Sequence, residues 1–313
     1  MEVVAQTGSE AYVKLMRRVL NDGEMVSPRG QLTFEIPDVT VTIENLADAH
    51  VLSTCRRVNL KILATEYVHL LAGVSSLEQL DLASGGRFTQ FSNEGRLMGA
   101  YGPRIRHQLP RVVDLLRRDE DTRQAVLTIW NGQEHAASSR DVPCTLNLQF
   151  RLRDGRLSIR ATMRSSDIYL GAPYDWWMFS RLGMSVASAL NVEPGSFTLT
   201  TGSLHLYERD LGYANDIEDA GVLTRPRVAV PPALLYAGNQ TDSQARLRSL
   251  TWTAQHLVLG GDLDERTDDV LGADWYRSYV PQLSNVTECV ACHCVFKTTE
   301  MYAEDPDFCT ACG

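Results

Sequence analysis

The spacing of apolar side chains along the chain predicts four helices. Residues 10–20 place apolar side chains at positions 12, 13, 16, 19 and 20, which lie on one helix face, and Gly23 follows their end. The same periodicity predicts helices over about 58–72 and 106–118. A fourth helix is expected from Pro173 to Leu190, because proline suits the first turn of a helix.

The alternation of apolar and polar residues predicts strands between these helices. Thr145–Leu152 alternates, Asp154 and Gly155 supply a turn, and the chain returns as a strand over Arg156–Arg164. Residues 31–44 alternate around Pro37-Asp38, which predicts two strands and a turn, and further strands are expected over 126–130 and 196–207. Because strands and helices interleave, the predicted fold class is α+β.

The overall composition is that of an ordinary soluble protein. The 313 residues are 44% hydrophobic and 22% charged, with a formal net charge of −9. This acidic balance argues against a protein that binds nucleic acid through its whole surface, since such binding needs a basic face. We find no signal-peptide pattern and no uncharged apolar run long enough to span a membrane, so a cytoplasmic protein without a membrane partner is expected.

The cysteines are concentrated at the carboxyl end of the chain. Cys55 and Cys144 are isolated, whereas the other five of the seven cysteines follow residue 288. Two Cys-x2-Cys pairs have zinc-ribbon spacing, with Cys294 and His293 as spare candidates. The sequence therefore predicts a catalytic domain over 1–283 and a ribbon over 284–313, which holds one structural zinc through Cys289, Cys292, Cys309 and Cys312.

One stretch, from Pro143 to Tyr207, carries most of the side chains that suggest chemistry. It combines a thiol, an arginine, two aspartates and a His/Tyr pair with strand, turn and helix patterns between them. Such a set suggests a nucleophilic cysteine that faces a small anionic substrate. Its members are Cys144, Arg164, Ser165, Asp167, Asp175, His205 and Tyr207.

These residues lie in sequence blocks that resemble a known family. The block PCTLNLQFRLRDGRLSIRATMRSSDIYLGAPYDWW, with TGSLHLY after it, resembles the catalytic core of thymidylate synthases and of the related pyrimidine nucleotide hydroxymethylases. Other family blocks are matched in the same order by VSPRGQ, TEYVHLLAG, GAYGPRIR and DEDTRQAVLTIWN. The resemblance implies a thymidylate synthase-like mixed β-sheet with surrounding helices, a homodimer, and 5,10-methylenetetrahydrofolate as cofactor.

The resemblance also assigns roles in the reaction. Cys144 would add to C6 of a pyrimidine ring, and nearby arginines are expected to lower the pKa of its thiol. For a lone cysteine, a buried structural role would be the simpler interpretation. Glu66 would relay protons through water, and Tyr101 would assist removal of the C5 proton.

Substrate binding is implied for a second group of residues. Arginine suits phosphate because its planar guanidinium donates two parallel hydrogen bonds. Members of the family usually carry two consecutive arginines where this chain has Arg123 and Gln124, so the second arginine is replaced by glutamine. The implied ligands are Arg29, Arg164 and Ser165 for the phosphate, Arg123 across the dimer interface, His205 and Tyr207 for the sugar 3′-hydroxyl, and Asp167 for the pterin.

Asp175 departs from the pattern of thymidylate synthases, which carry asparagine at this place to read uracil. The cytidylate hydroxymethylases of the family carry aspartate. A carboxylate accepts from the cytosine amine and, when it holds a proton, also serves N3. The alternative interpretation is that Asp175 does not contact the base and is present because the helix dipole favours an acidic residue near the start of a helix.

The sequence thus predicts a hydroxymethyltransferase that acts on a nucleoside monophosphate, dCMP in preference to CMP. Two further departures fit an enzyme that does not methylate: Thr145 stands in place of a histidine and Asp141 in place of a leucine. A polar group at Asp141 would admit or orient water, but an acidic residue on a solvent-facing loop explains Asp141 equally well. One alternative is a different enzyme of the same family, either a thymidylate synthase-like methylase or a dUMP hydroxymethylase. A second alternative is a nucleic-acid-binding protein built on an inactive synthase scaffold. Nucleic acid is not expected as a partner of the catalytic core, whereas it is one candidate partner of the zinc ribbon.

Overall fold

A computed structural model describes residues 1–51, 58–75, 99–132, 141–220 and 241–258, with short pieces between 77 and 97 and short strands after 234. The helices are α1 Gly8–Asp22, α2 Leu60–Ala72, α3 Tyr101–Arg118, α4 Ala172–Leu190, α5 Leu211–Ala220 and α6 Ser243–Val258. The main strands are β1 Glu2–Ala5, β2 Glu24–Val26, β3 Thr33–Ile43, β4 Val126–Thr128, β5 Thr145–Arg153, β6 Arg156–Met163, β7 Ser166–Asp167 and β8 Glu193–Tyr207.

These eight strands form one mixed sheet in the order β1-β3-β8-β6-β5-β4. The long strand β8 runs antiparallel to β3 on one side and parallel to β6 on the other. β2 pairs with β3, and β7 pairs in parallel with the end of β8. The expected mixed sheet with surrounding helices is therefore present.

The core lies between one face of the sheet and helix α4. This helix buries Trp176, Trp177 and Phe179, and the sheet contributes Phe150 and Phe197. Because α4 is covered on most sides, it is apolar almost all round rather than along one stripe. Helix α2 packs against α3, α4 and α6. Within the described part of the chain, no helix has both the length and the apolar character that a membrane crossing requires.

Two local predictions are confirmed in detail. The β5–β6 hairpin turns at Asp154 and Gly155, whose φ angles of 50° and 68° are those of a two-residue type I′ turn. Helix α4 has proline in its first turn and ends at Asn191, which adopts the left-handed conformation common after helices.

The prediction of two strands around Pro37-Asp38 is wrong, since β3 is continuous. Its pairing with β8 keeps one register, with Pro37 opposite Ser203 and Val39 opposite Thr201. Among the described strands, β2 pairs with residues 33–35 and β1 with residues 40–43, so Pro37 lies where that edge of β3 has no neighbour. Proline is tolerated there because no ladder hydrogen bond is lost. Helix α3 also begins at Tyr101, five residues before the predicted start at 106.

Apart from residues 241–258, which include α6, the chain after residue 234 is described only as short strand pairs. Leu235–Tyr236 (β9) pairs with Val270–Leu271 (β10), Val286–Glu288 (β11) with Val295–Lys297 (β12), and Met301–Tyr302 (β13) with Asp305–Cys309 (β14). Cys289, Cys292 and Cys312 lie outside the described residues, as does the side chain of Cys309. The zinc site and the domain boundary at 283/284 stay predictions.

Candidate active site

The thiol of Cys144 lies where two neighbouring strands of the sheet begin and end. Cys144 directly precedes β5, and Arg164 and Ser165 directly follow β6, which is the partner of β5. The backbone N–H of Arg164 donates to the carbonyl of Cys144 over 2.8 Å. The hairpin therefore brings together residues that are 20 positions apart in the sequence.

The guanidinium of Arg164 is fixed against the segment that carries the thiol. Its Nε donates to the carbonyl of Pro143 over 3.0 Å and its Nη2 to that of Val142 over 2.9 Å. The same Nη2 lies 3.6 Å from Cys144 Sγ, while Nη1 donates to Ser165 Oγ over 3.1 Å. Ser165 Oγ is in turn 3.7 Å from Sγ. Cation and hydroxyl thus converge on the sulfur; an arginine near the thiol was expected from the sequence, whereas the contact of Ser165 was not.

The net effect of these surroundings on the thiol differs from the expectation of a lowered pKa. Burial raises the pKa of the Cys144 thiol, and this effect exceeds the lowering by Arg164 and the hydrogen bond from Ser165. Asp175 and Asp167 raise the pKa further through their negative charge. The expectation was wrong because it counted the arginine and omitted desolvation of the thiolate.

Two acidic side chains from different helices face the same site. Glu66 comes from the middle of α2 and Asp175 from the first turn of α4. Burial, followed by the charge of Asp175, raises the pKa of Glu66 to about 8. Burial, followed by the charge of Asp167, raises the pKa of Asp175 to about 7. Near neutral pH, Glu66 is therefore mostly protonated and Asp175 is poised between its two forms.

Tyr101 is the first residue of α3, and its hydroxyl group lies beside the cysteine segment. The hydroxyl accepts the N–H of Thr145 over 3.2 Å, and the ring stacks on Phe179 with centroids 6.3 Å apart. Burial, with the charges of Asp175 and Cys144, raises the pKa of Tyr101. The phenol is therefore neutral and can donate a hydrogen bond while it accepts one.

Glu66, Tyr101 and Asp175 line a cavity of about 240 Å³. Two polar members of its wall, His69 and Ser75, were not predicted, although His69 follows Glu66 by three residues and so lies on the same helix face. Aromatic and aliphatic side chains make up much of the rest. The other residues of the wall are Leu70, Val74, Phe88, Phe91, Leu97, Gly99, Ala100, Gly102, Asp141 and Met178.

A second group of polar residues lies at the end of β8. His205 and Tyr207 share one face of the strand, as predicted, and their rings meet edge to face at 5.3 Å. Ser203 Oγ lies 3.4 Å from His205 Nδ1. Burial lowers the pKa of His205, and the charges of Arg164 and Arg29 lower it further. Both arginines are therefore within electrostatic reach of this residue.

The other predicted ligands, Arg29, Arg123 and Asp167, lie outside the wall of the cavity. Arg29 is exposed on the short turn Pro28–Gly30, with a left-handed φ of 54°. Arg123 is exposed between α3 and β4, and no contact with the cysteine cluster is recorded for it among the described residues. Asp167 Oδ1 accepts the N–H groups of Tyr169 and Leu170, each over 2.9 Å, so it fixes its own loop. Its role toward a pterin stays a prediction.

A mixed sheet whose strand ends carry a cysteine and an arginine, beside buried carboxyl groups from two helices, is the arrangement that the resemblance to thymidylate synthases implies. The chain belongs to the thymidylate synthase family, whose family model matches residues 10–241. It is 31% identical over 223 residues to a deoxyuridylate hydroxymethyltransferase of Bacillus phage SP01. That match covers 65% of this chain and 58% of the relative, so the chain spans less than two thirds of the relative's length.

Proposed function

We propose that this protein transfers a hydroxymethyl group to C5 of a pyrimidine nucleoside monophosphate, with dCMP as its substrate. Asp175 is the observation that carries the choice of base. It lies in the first turn of α4, its charge acts on both Cys144 and Glu66, and its pKa is raised to about 7. A carboxyl group at this place that holds a proton near neutral pH supports recognition of cytosine.

The hydrogen-bonding edge of cytosine explains why the protonated carboxyl group matters. Cytosine presents an amine donor at N4 beside an acceptor at N3, whereas uracil presents an acceptor at O4 beside a donor at N3. A protonated carboxyl group accepts from N4 through one oxygen and donates to N3 through the other. An ionised carboxylate has no donor, so it leaves N3 without a partner.

The reaction begins with the sulfur of Cys144. Its thiolate bonds to C6, and the electron pair of the C5–C6 double bond makes C5 nucleophilic. The positive charge of Arg164, 3.6 Å from Sγ, stabilises the thiolate when the substrate is in place. Ser165, at 3.7 Å, adds a hydrogen bond to the sulfur. Burial suppresses the thiolate in the free protein, which protects the sulfur from unproductive reactions.

Once C5 carries the one-carbon unit, the C5 proton must leave together with tetrahydrofolate, and the pyrimidine then carries an exocyclic methylene. Tyr101 is neutral, so it orients the acceptor of this proton rather than taking the proton as a phenolate. Glu66 holds a proton at neutral pH and is placed to donate it. Water then adds to the methylene carbon, and Cys144 leaves C6.

The cavity beside these residues fits a folate. Phe88, Phe91 and Leu97 offer flat and apolar contacts for a fused heteroaromatic ring, while Glu66 offers a polar partner for its edge. When bound, 5,10-methylenetetrahydrofolate supplies the one-carbon unit. Asp167 would bind the pterin from the loop that follows β7.

The phosphate and sugar have partners on the other side of the cysteine. Arg164 and Ser165 are joined by a hydrogen bond of 3.1 Å and form a fixed donor pair for phosphate. Arg29 would approach from its exposed turn. The shared face of His205 and Tyr207 supports binding of the sugar 3′-hydroxyl.

The second candidate is hydroxymethylation of dUMP. The name of the phage relative favours it, since that protein is a deoxyuridylate hydroxymethyltransferase. Methylation of the thymidylate synthase type is the third candidate, in which a hydride rather than water would reach the methylene.

Mass spectrometry of the products tests these alternatives directly. The protein is incubated in parallel with dCMP, CMP and dUMP in the presence of 5,10-methylenetetrahydrofolate. We expect 5-hydroxymethyl-dCMP together with tetrahydrofolate. A preference for 5-hydroxymethyl-dUMP contradicts the proposed role of Asp175, and dihydrofolate formation contradicts hydroxymethylation. No turnover together with tight binding to DNA or RNA favours an inactive scaffold.

We further propose a homodimer that forms through the polar face of the sheet. One face is buried in the core, while the other carries threonine pairs such as Thr40 with Thr200, whose Oγ1 atoms lie 3.3 Å apart. Arg160 is exposed on this face and donates to Thr200 Oγ1 over 3.0 Å. Arg123 would then reach the site of the second copy, which explains its distance from Cys144 in its own chain.

Mixing two inactive variants tests this arrangement. Wild-type protein should sediment at twice 34.9 kDa. Subunit exchange between Cys144→Ser and Arg123→Ala should restore up to about one quarter of wild-type activity, since one site of each heterodimer has both native residues. A dimer in which exchange restores nothing contradicts the role of Arg123 across the interface.

A further inference from the structure

Asp141 lies three residues before the cysteine and belongs to the wall of the cavity. Its Oδ2 accepts the backbone N–H of Gly99 over 2.6 Å. A Cβ atom at Gly99 would lie 2.9 Å from Pro143 Cδ and 3.0 Å from Asp141 Oδ1, so only glycine permits this approach. The carboxylate is thus held at a fixed place where the Gly99 segment meets the cysteine segment.

A second link fixes the same two segments on the other side of Cys144. Tyr101, two residues after Gly99, accepts the N–H of Thr145. Arg164 holds the carbonyls of Val142 and Pro143 from the opposite direction. The position of Asp141 relative to the sulfur is therefore set by hydrogen bonds before and after Cys144.

The link to Gly99 alone does not require a carboxylate, because an amide oxygen would accept the same N–H. Unlike an amide, a carboxylate in the wall of the cavity can also accept a proton. The cavity holds two other carboxyl groups, but Glu66 and Asp175 have pKa values raised to about 8 and about 7. In the proposed reaction Glu66 donates its proton and Asp175 uses its proton to bind the base, which leaves Asp141 as the carboxyl group of the wall that can take a proton from water.

We propose that Asp141 is the general base that activates the water which converts the exocyclic methylene into a hydroxymethyl group. This inference rests on the proposed function. The water oxygen forms a bond to the methylene carbon, and a proton of the water passes to the Asp141 carboxylate. The π electrons of the methylene shift into the ring, the C5–C6 double bond reforms, and the sulfur leaves as the thiolate of Cys144. No oxidation or reduction takes place.

The substitution Asp141→Asn separates this role from the structural link. The asparagine side-chain oxygen can still accept the N–H of Gly99, but the amide cannot take a proton from water. In a single turnover, with enzyme in excess over nucleotide, we expect the variant to release tritium from [5-³H]-dCMP within about threefold of the wild-type rate, since C5 chemistry precedes the addition of water. Hydroxymethyl product should fall by about 100-fold, the usual contribution of a general base.

Trapping of the methylene provides an independent readout. When 2-mercaptoethanol is added, its thiolate takes the place of water at the methylene carbon, and Asp141→Asn should yield thioether where wild-type protein yields hydroxymethyl product. The matched control is Asp154→Asn in the exposed β5–β6 turn, which should behave like wild type. Thermal unfolding of all three proteins checks that the variants fold.

Two results would overturn the assignment of Asp141. One is a ratio of hydroxymethyl product to released tritium that is the same in Asp141→Asn as in wild-type protein. Asp141 would then have only a structural role through its hydrogen bond with Gly99. The other is a parallel loss of both signals, which would place its role before the addition of water. If wild-type protein releases no tritium from dCMP, dUMP or CMP, the proposed function itself fails, and this inference fails with it.

Discussion

Replacement of Cys144 by serine is expected to reduce hydroxymethyl product formation by at least about 10³-fold, because the hydroxyl group is a far weaker nucleophile than the thiolate. The sulfur is the atom on which Arg164 and Ser165 converge, at 3.6 and 3.7 Å. These contacts would stabilise a thiolate, but they cannot ionise a serine near neutral pH. The loss should therefore appear in kcat, while nucleotide affinity changes little.

A reaction that needs no folate isolates the step of Cys144. Addition of the thiolate to C6 makes C5 basic, so a bound nucleotide should exchange its C5 hydrogen for deuterium in D2O, as followed by proton NMR. Wild-type protein should catalyse this exchange and Cys144→Ser should not. Isothermal titration of dCMP into both proteins is the control for binding. Exchange at the wild-type rate in the serine variant would remove Cys144 from the mechanism.

The sequence predicted those parts of the site that depend on local order along a strand or helix. His205 and Tyr207 lie on one face because strand residues alternate, and the Asp154-Gly155 turn brings Arg164 back to Cys144. Asp175 falls in the first turn of α4 because Pro173 marks the start of that helix. In each case a short-range rule fixes the geometry.

The sequence could not predict the electrostatics, because these depend on residues that are distant along the chain. Glu66 and Asp175 are separated by 109 positions, yet the charge of Asp175 helps to raise the pKa of Glu66. The thiol of Cys144 was expected to be acidified by arginine, but burial has the larger effect. Desolvation is set by packing from all sides, and no spacing rule reports it.

The substitution Asp175→Asn is expected to change the preferred base from cytosine to uracil. The amide donates to O4 and accepts from the N3–H of uracil; in that orientation it opposes donor to donor at cytosine N4 and acceptor to acceptor at N3, so cytosine is served only if the amide turns over. A buried site that leaves a hydrogen-bonding group without a partner rejects the substrate strongly, so kcat/KM for dCMP should fall by about 10³-fold or more. The value for dUMP should rise by at least about tenfold.

The pH dependence distinguishes this explanation from a general loss of activity. In wild-type protein the proton of Asp175, with a pKa of about 7, is present below neutrality and lost above it. The kcat/KM for dCMP should therefore decline as the pH rises through about 7, where cytosine N3 loses its donor. Asp175→Asn has no such proton, so with dUMP the decline should follow Glu66, whose pKa stays raised by burial but loses the contribution of the Asp175 charge.

Matched measurements decide whether the carboxyl group reads the base. Asp154→Asn, which removes an exposed carboxylate from the β5–β6 turn, should keep the wild-type preference and pH profile. If Asp175→Asn loses activity with both nucleotides in equal measure, Asp175 serves the start of α4 rather than the base. If wild-type protein already prefers dUMP, and its activity rises with pH through 7, the ionised carboxylate is the working form and cytosine is the wrong substrate. The proposal is supported if Asp175→Asn both prefers dUMP to dCMP and no longer loses activity as the pH rises through 7. This combined result requires that the Asp175 side chain contacts the base and that its proton is needed for cytosine, because neither property alone couples the choice of substrate to pH.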